Sequence, residues 1–288
     1  MRQVEGRLED PASIKRALEG VSAVVHVAGF VSTAARDRRR LFEVNSIGAS
    51  NLLDAAAATG VRRIVFTSST SAVGALREDR PEAALAEDAE FDLHTLDVPY
   101  LQAKRVAHDA ALRARAEGAP IVVLSPSFVL GPGDWRLTSS ELVDAFVRGR
   151  LPGFVAGGLN AVDVRDLARA YVSALEHRDP APHYILAGAE NLDSRAFFER
   201  LARCSGLAAP RFEIPRWAAL FAGHCAERLA PGGSLSAASV RLGSLYWYFD
   251  ASLARRELEF ANRPLDETLR SAVDWVHKLQ PMRERHAA

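Results

Sequence analysis

Arg62-Arg63-Ile64-Val65-Phe66-Thr67-Ser68-Ser69-Thr70-Ser71 is the stretch on which the fold turns. Arg62 to Thr67 is a short apolar run that reads as a strand, and the hydroxyl residues after it read as a polar hinge. Upstream, Arg38 to Thr59 reads as a long helix closed by Gly60. Before that, Ser22 to Val27 is a β-branched run consistent with a strand buried on both faces. Asp10-Pro11-Ala12-Ser13 starts an earlier helix, with Asp as N-cap and Pro in the first position, and Gly20 ends it. Downstream, the acidic segment from Leu76 to Asp97 reads as a loop. A helix from Pro99 to Glu117 and a strand from Ile121 to Leu124 follow. Strand and helix alternating at this spacing predict an α/β fold with a parallel sheet of βαβ units.

After Gly131-Pro132-Gly133 the pattern loosens. Asp163 to His177 reads as a helix and Tyr184 to Leu186 as a strand. Beyond Asn191 helices dominate, at Ser194 to Cys204, Pro215 to Leu229 and Leu265 to Leu279. The expected division is a sheet-bearing domain over residues 1–134, with 160–188 returning to it. Residues 135–159 and 189–288 then form a smaller, mostly helical substrate-binding lid.

Composition narrows the classes. The chain has 288 residues, 48% hydrophobic and 25% charged, with no net charge, as in an ordinary globular protein and unlike a nucleic-acid binder with a broad basic face. Cys204 and Cys225 are the two cysteines, too few for a disulfide framework, so a reducing cytoplasm is the default. No stretch is long and apolar enough to suggest a membrane span.

Tyr100 and Lys104 lie four apart on the predicted helix, on one face and one turn from each other. A nearby ammonium favours the phenolate, so the Tyr100 pKa is expected to fall from about 10. Lysine occurs only at positions 15, 104 and 278 among 36 basic residues, so a Lys here stands out. The spacing alone is common on surface helices. His26 reads as a packed strand residue. His224 and Cys225 are adjacent and cannot share a helix face, so no metal site is expected. Trp217, Leu220, Phe221 and Leu229 mark one apolar side of a helix, expected to pack in the core or a lid rather than on a membrane. Trp135 either touches substrate or caps the core.

Three segments in order carry a resemblance: Ile64 to Ser69, Tyr100-x-x-x-Lys104, and Ser125-Pro126-Ser127-Phe128-Val129-Leu130-Gly131-Pro132-Gly133-Asp134. Ala23 to Gly29, Glu43 to Ala56, Val162-Asp163-Val164-Arg165-Asp166-Leu167-Ala168 and Tyr248 to Phe260 add to it. Together they resemble the extended short-chain dehydrogenase/reductase family, also called the NAD-dependent epimerase/dehydratase family. The nearest branch is the dihydroflavonol-reductase-like and hopanoid-associated epimerase-like one. The resemblance implies a Rossmann-type sheet and NAD or NADP as cofactor. It implies Tyr100 as acid/base, Lys104 on the nicotinamide ribose, and Ser69 holding the substrate oxygen, with Thr70 as the other candidate. Val27, Ala28, Gly29, Thr67, Ser68, Pro126 and Ser127 are expected to line the cofactor with Tyr100 and Lys104. Asn45 is expected either to support a proton relay or helix kink, or to be a helix-surface amide. The implied partners are a small-molecule alcohol or carbonyl and, through the helices carrying Asn45 and Tyr100, a second copy. Ala156-Gly157-Gly158-Leu159-Asn160-Ala161 lacks the Arg with which sugar-nucleotide members hold a diphosphate, which disfavours such a substrate.

One family signature is missing. No Gly-x-x-Gly-x-x-Gly turn occurs in the chain, and residue 1 aligns with the family's third strand. The fold is therefore expected to lack its first two strands, leaving Gln3-Val4-Glu5 unpaired and the strand at Ser22 to Val27 as an open edge. Arg7 also stands where the family usually carries an Asp. A misplaced start and a genuine truncation both explain this, and the intact Ser69, Tyr100 and Lys104 favour the first. An epimerase or dehydratase with transient redox, or a non-catalytic binding relative, are the alternatives to an oxidoreductase.

Overall fold

The computed structural model describes residues 3–229 and 235–287. Strands β1 (Ala23–His26), β2 (Arg63–Thr67), β3 (Ile121–Pro126) and β4 (Phe128–Leu130) alternate with helices α1 (Pro11–Leu18), α2 (Arg38–Phe42), α3 (Gly48–Ala58) and α4 (Pro99–Ala116). Then come α5 (Glu141–Val147), β5 (Gly153–Phe154), β6 (Gly158–Asp163), α6 (Val164–Glu176), β7 (His183–Leu186) and β8 (Asn191–Asp193). The chain ends with α7 (Ser194–Ser205), β9 (Phe212–Glu213), α8 (Arg216–Leu229), α9 (Ala237–Gly243), α10 (Ser252–Glu257) and α11 (Leu265–Ala287).

The main sheet is parallel in the order β1-β2-β3-β7. A smaller sheet, β4-β6-β8, continues from the end of β3. The central strands alternate, yet both faces are covered. Ile64, Phe66, Ile121 and Val123 pack on α3 and α4 through Leu52, Leu53, Ala107 and Ala111. Val65, Val122 and Leu124 pack on α6 through Leu167, Ala170 and Ala174. This is the three-layer, Rossmann-type α/β arrangement.

The predicted cap at Asp10 forms, and Asp163, read only as the start of its helix, caps α6 in the same way. Asp10 accepts from the Ala12 amide at 3.0 Å, and Asp163 from the Arg165 amide at 2.8 Å. Two expectations are corrected. The strand β1 is not buried on both faces: it pairs only with β2, and Ala23 and Val25 are exposed. It is the open edge expected from the missing first strands. The long helix is also not uniform, because Glu43–Ile47 widens into a π turn between α2 and α3. Residues 3–5 join no sheet. No helix among the described residues is long and apolar enough to cross a membrane.

Candidate active site

The carboxyl ends of β1, β2 and β3 open side by side, and the sequence-predicted residues gather there. Past β1, Val27, Ala28 and Gly29 are exposed. Asn45 clamps the next residue: its Oδ1 accepts from the Phe30 amide and its Nδ2 donates to the Phe30 carbonyl, both at 2.7 Å. Asn45 is buried and sits in the π turn, a distortion that aims it inward. It is therefore no surface amide.

Lys104 comes up from the first turns of α4. Its Nζ donates to the Ser68 carbonyl at 3.5 Å, and a Cβ built on Gly29 would stand 3.9 Å from it and 3.2 Å from Asn45 Oδ1. Burial lowers the ammonium from 10.5 to about 8. Tyr100, half-buried one turn earlier, packs against the apolar cluster of Ala75, Leu93, Val98, Leu101, Ala238 and Leu245. Here the structure reverses an expectation. Burial pushes the phenol above its ordinary value of 10, and hydrogen bonds from Ser69 and Ser71 only partly oppose it. The apolar surround costs a phenolate more than the chain's own groups return.

Ser69 caps the short 3-10 turn Thr70–Ala72. Its Oγ accepts from the Ser71 amide at 3.1 Å and the Ser71 hydroxyl at 2.8 Å, which leaves its own proton to donate. Ser71 was missed by sequence reasoning, although a residue two beyond the hinge folds back in such a turn. Thr70 is buried, and no hydrogen bond places it on the phenol.

The other hinge hydroxyls are engaged elsewhere. Thr67 Oγ1 accepts from the Tyr171 hydroxyl at 2.8 Å. Ser68 Oγ lies 2.9 Å from His108 Nδ1. His108, four residues past Lys104, meets His183 edge-on at 4.8 Å, and His183 Nε2 lies 2.8 Å from Ser125 Oγ. Burial holds His108 near 4 and His183 near 3, far below 6.5. These two rings went unread in the sequence, and the i,i+4 spacing from Lys104 was the available signal. Past β3, Ser127 Oγ donates to Asn160 Oδ1 at 2.9 Å, and Asn160 also holds the Gly188 amide and carbonyl. Pro126 ends β3 next to it.

Among the less weighted residues, His26 packs on Phe66, with ring centres 5.1 Å apart, and burial lowers it to about 4. Trp135 stacks edge-on with Trp275 at 5.0 Å. Trp217, Phe221 and Leu229 are exposed, contrary to the expectation of core or lid packing. Ala219 and Gly223 take the inward face of α8 instead, since Gly223 lies against the Ser236–Ala237 backbone.

The family model described as "NAD dependent epimerase/dehydratase family" matches residues 2–188. The chain belongs to that family. A Synechocystis sp. protein named after dihydroflavonol 4-reductase is 33% identical over 281 residues, 94% of this chain and 80% of the relative. Sterol demethylase protein B of Methylococcus capsulatus is 32% identical over 282 residues, 95% of this chain and 84% of that one. The crystal structure of gox2253 superposes with a TM-score of 0.79 at 26% identity, covering 96% of this chain and 84% of the other. The family's cofactor is NAD(P).

The residues present suit the nicotinamide–ribose half of such a dinucleotide. Gly29 leaves a cradle that a Cβ would fill against Asn45 and Lys104, and a donor with a single long hydrogen bond points into it. The described residues include no glycine-rich turn for the pyrophosphate.

Proposed function

We propose that this protein is an NAD(P)-dependent oxidoreductase acting on a small or medium-sized alcohol or carbonyl compound, with Tyr100 as its acid/base. The observation that carries this reading is the convergence of Tyr100, Ser69, Ser71 and Lys104 at the carboxyl ends of β1 and β2. The cofactor, when bound, supplies or accepts the hydride.

The chain's own groups manage the oxygen. Ser69 Oγ accepts from the Ser71 amide and hydroxyl, so its own proton serves the Tyr100 phenol and, beside it, a substrate oxygen. Tyr100, kept neutral by burial, is a proton donor at neutral pH. A carbonyl oxygen gaining negative charge takes that proton, which suits the reductive direction. In this reading Lys104 holds the ribose hydroxyls, and Val27, Ala28, Gly29, Pro126 and Ser127 line the cofactor. The apolar residues around Tyr100, and the absence of an Arg in residues 156–161, suit an apolar carbonyl better than a nucleotide sugar. The relatives named for a reductase and a sterol enzyme agree with that class.

Tyr100→Phe tests the assignment. With a carbonyl substrate found by screening, kcat should fall roughly 10²- to 10⁴-fold while cofactor affinity holds. An unchanged kcat would remove Tyr100 from the chemistry. Substrate conversion with no net NAD(P)H consumed would instead favour an epimerase or dehydratase.

A further inference from the structure

The outer face of α8 is built the wrong way round for a helix of a self-sufficient domain. Its small residues point inward: Ala219 is buried, and a Cβ on Gly223 would stand 2.8 Å from the Ala237 amide nitrogen. The large residues point outward. Trp217 is 75% exposed and Phe221 70%. At 100° per residue, Trp217, Phe221, His224 and Arg228 form one stripe opposite the Ala219–Gly223 seam. Phe212, on β9 just before the helix, is also exposed, as is Leu229 at its end.

Positive charge outnumbers negative around this face. Arg211, Arg216 and Arg228 are exposed, and among the described residues none has a carboxylate partner. The nearby acids are engaged elsewhere: Glu213 pairs with Arg195 at 3.5 Å, and Glu227 accepts from the Ala237 amide at 3.1 Å. Exposed Trp and Phe bordered by unpaired Arg match a lipid–water interface, where aromatic rings lie at headgroup depth and guanidinium groups meet phosphate.

We propose that the α8 face docks on an anionic membrane surface, with Trp217 and Phe221 as the inserted groups and Arg211, Arg216 and Arg228 as the phosphate contacts. This is peripheral attachment, and it stands independently of the chemistry assigned to Tyr100. The helix rests on α9, whose Ala238 shares an apolar cluster with Tyr100. A docked α8 would therefore bring the candidate active site close to the bilayer, within reach of apolar substrates dissolved there.

Co-sedimentation of the whole chain with vesicles tests this. One set is pure phosphatidylcholine, and the other carries roughly one part phosphatidylserine to two parts phosphatidylcholine. The chain should pellet with the anionic set only, and high salt should release it by screening. Trp217→Ser with Phe221→Ser should lower the partition coefficient about tenfold or more. Both positions are exposed, so the variant's circular dichroism and melting should match wild type. Arg216→Gln with Arg228→Gln should weaken binding without touching the aromatics. No pelleting by wild-type chain, equal pelleting with neutral vesicles, or full binding by the folded aromatic variant each overturns the proposal. Self-association in light scattering that the aromatic variant abolishes also overturns it, because the face would then be a contact between copies.

Discussion

Acid should unfold this protein earlier than its carboxylates alone would dictate. His26, His108 and His183 are buried with folded pKa values of about 4, 4 and 3, against 6.5 for a free imidazole. Each folded value lies below the unfolded one, so between pH 6.5 and 4 the unfolded chain binds more protons. Stability is full above pH 6.5 and is lost as the pH falls through that window. Between pH 7 and pH 5 each ring withholds nearly one proton, about 2 kcal/mol apiece and roughly 5 kcal/mol for the three. That equals much of the stability of an ordinary domain, about 5–15 kcal/mol. Glu87 acts in the opposite sense, since burial raises its carboxyl and protonation then favours the fold. One modestly shifted group does not offset three large shifts. Urea unfolding followed by circular dichroism at pH 7, 6 and 5 reads the effect. His108→Gln keeps a polar partner for Ser68 but cannot titrate, so it should remove about a third of the slope. Stability independent of pH over this range, or an unchanged slope in His108→Gln, would refute the reasoning.

Three further outcomes follow from particular contacts. Lys104 sits near pKa 8, so affinity for NADPH should fall as the pH rises through 8, and Lys104→Arg should flatten that dependence; calorimetric titration at pH 7 and 9 measures it. Gly188→Ala would set a Cβ 1.9 Å from the Ala161 carbonyl oxygen, where backbone cannot yield, and should cost about 3 kcal/mol in denaturant unfolding. Asn45→Ala breaks both hydrogen bonds to Phe30 and should cost about 1–3 kcal/mol, with faster hydrogen exchange at the Phe30 amide.

The repeating core was legible because its signals are local. Apolar runs bounded by Gly and Pro located β2, β3 and β7, and Asp10 announced its helix. The family resemblance grouped Ser69, Tyr100 and Lys104, and their meeting follows from α4 packing beside the carboxyl end of β2. What escaped depends on distant packing. The open edge of β1 was foreseen, but the bare face at Ala23 and Val25 was not, because the apolar run alone does not say what covers it. The Tyr100 pKa moved up because burial removes water from the phenol, and the cluster it packs against draws Ala238 and Leu245 from remote segments. The outward turn of Trp217 and Phe221 follows from where the Ser236–Ala237 backbone crosses α8, and only a residue as small as Gly223 fits there. Ser71 and His108 each lay one short step from a residue already singled out, on a 3-10 turn and on the inner face of α4.

The central claim is that the Gly29–Asn45–Lys104 cradle receives a nicotinamide cofactor. Titrating NADH and NADPH into the folded 288-residue chain, followed by nicotinamide fluorescence, tests it most directly. The account predicts saturable binding with one of the two at a Kd of about micromolar, near 8 kcal/mol, and a loss of tenfold or more in Lys104→Ala. No saturation by either up to about millimolar, in a chain whose circular dichroism shows it folded, would contradict it.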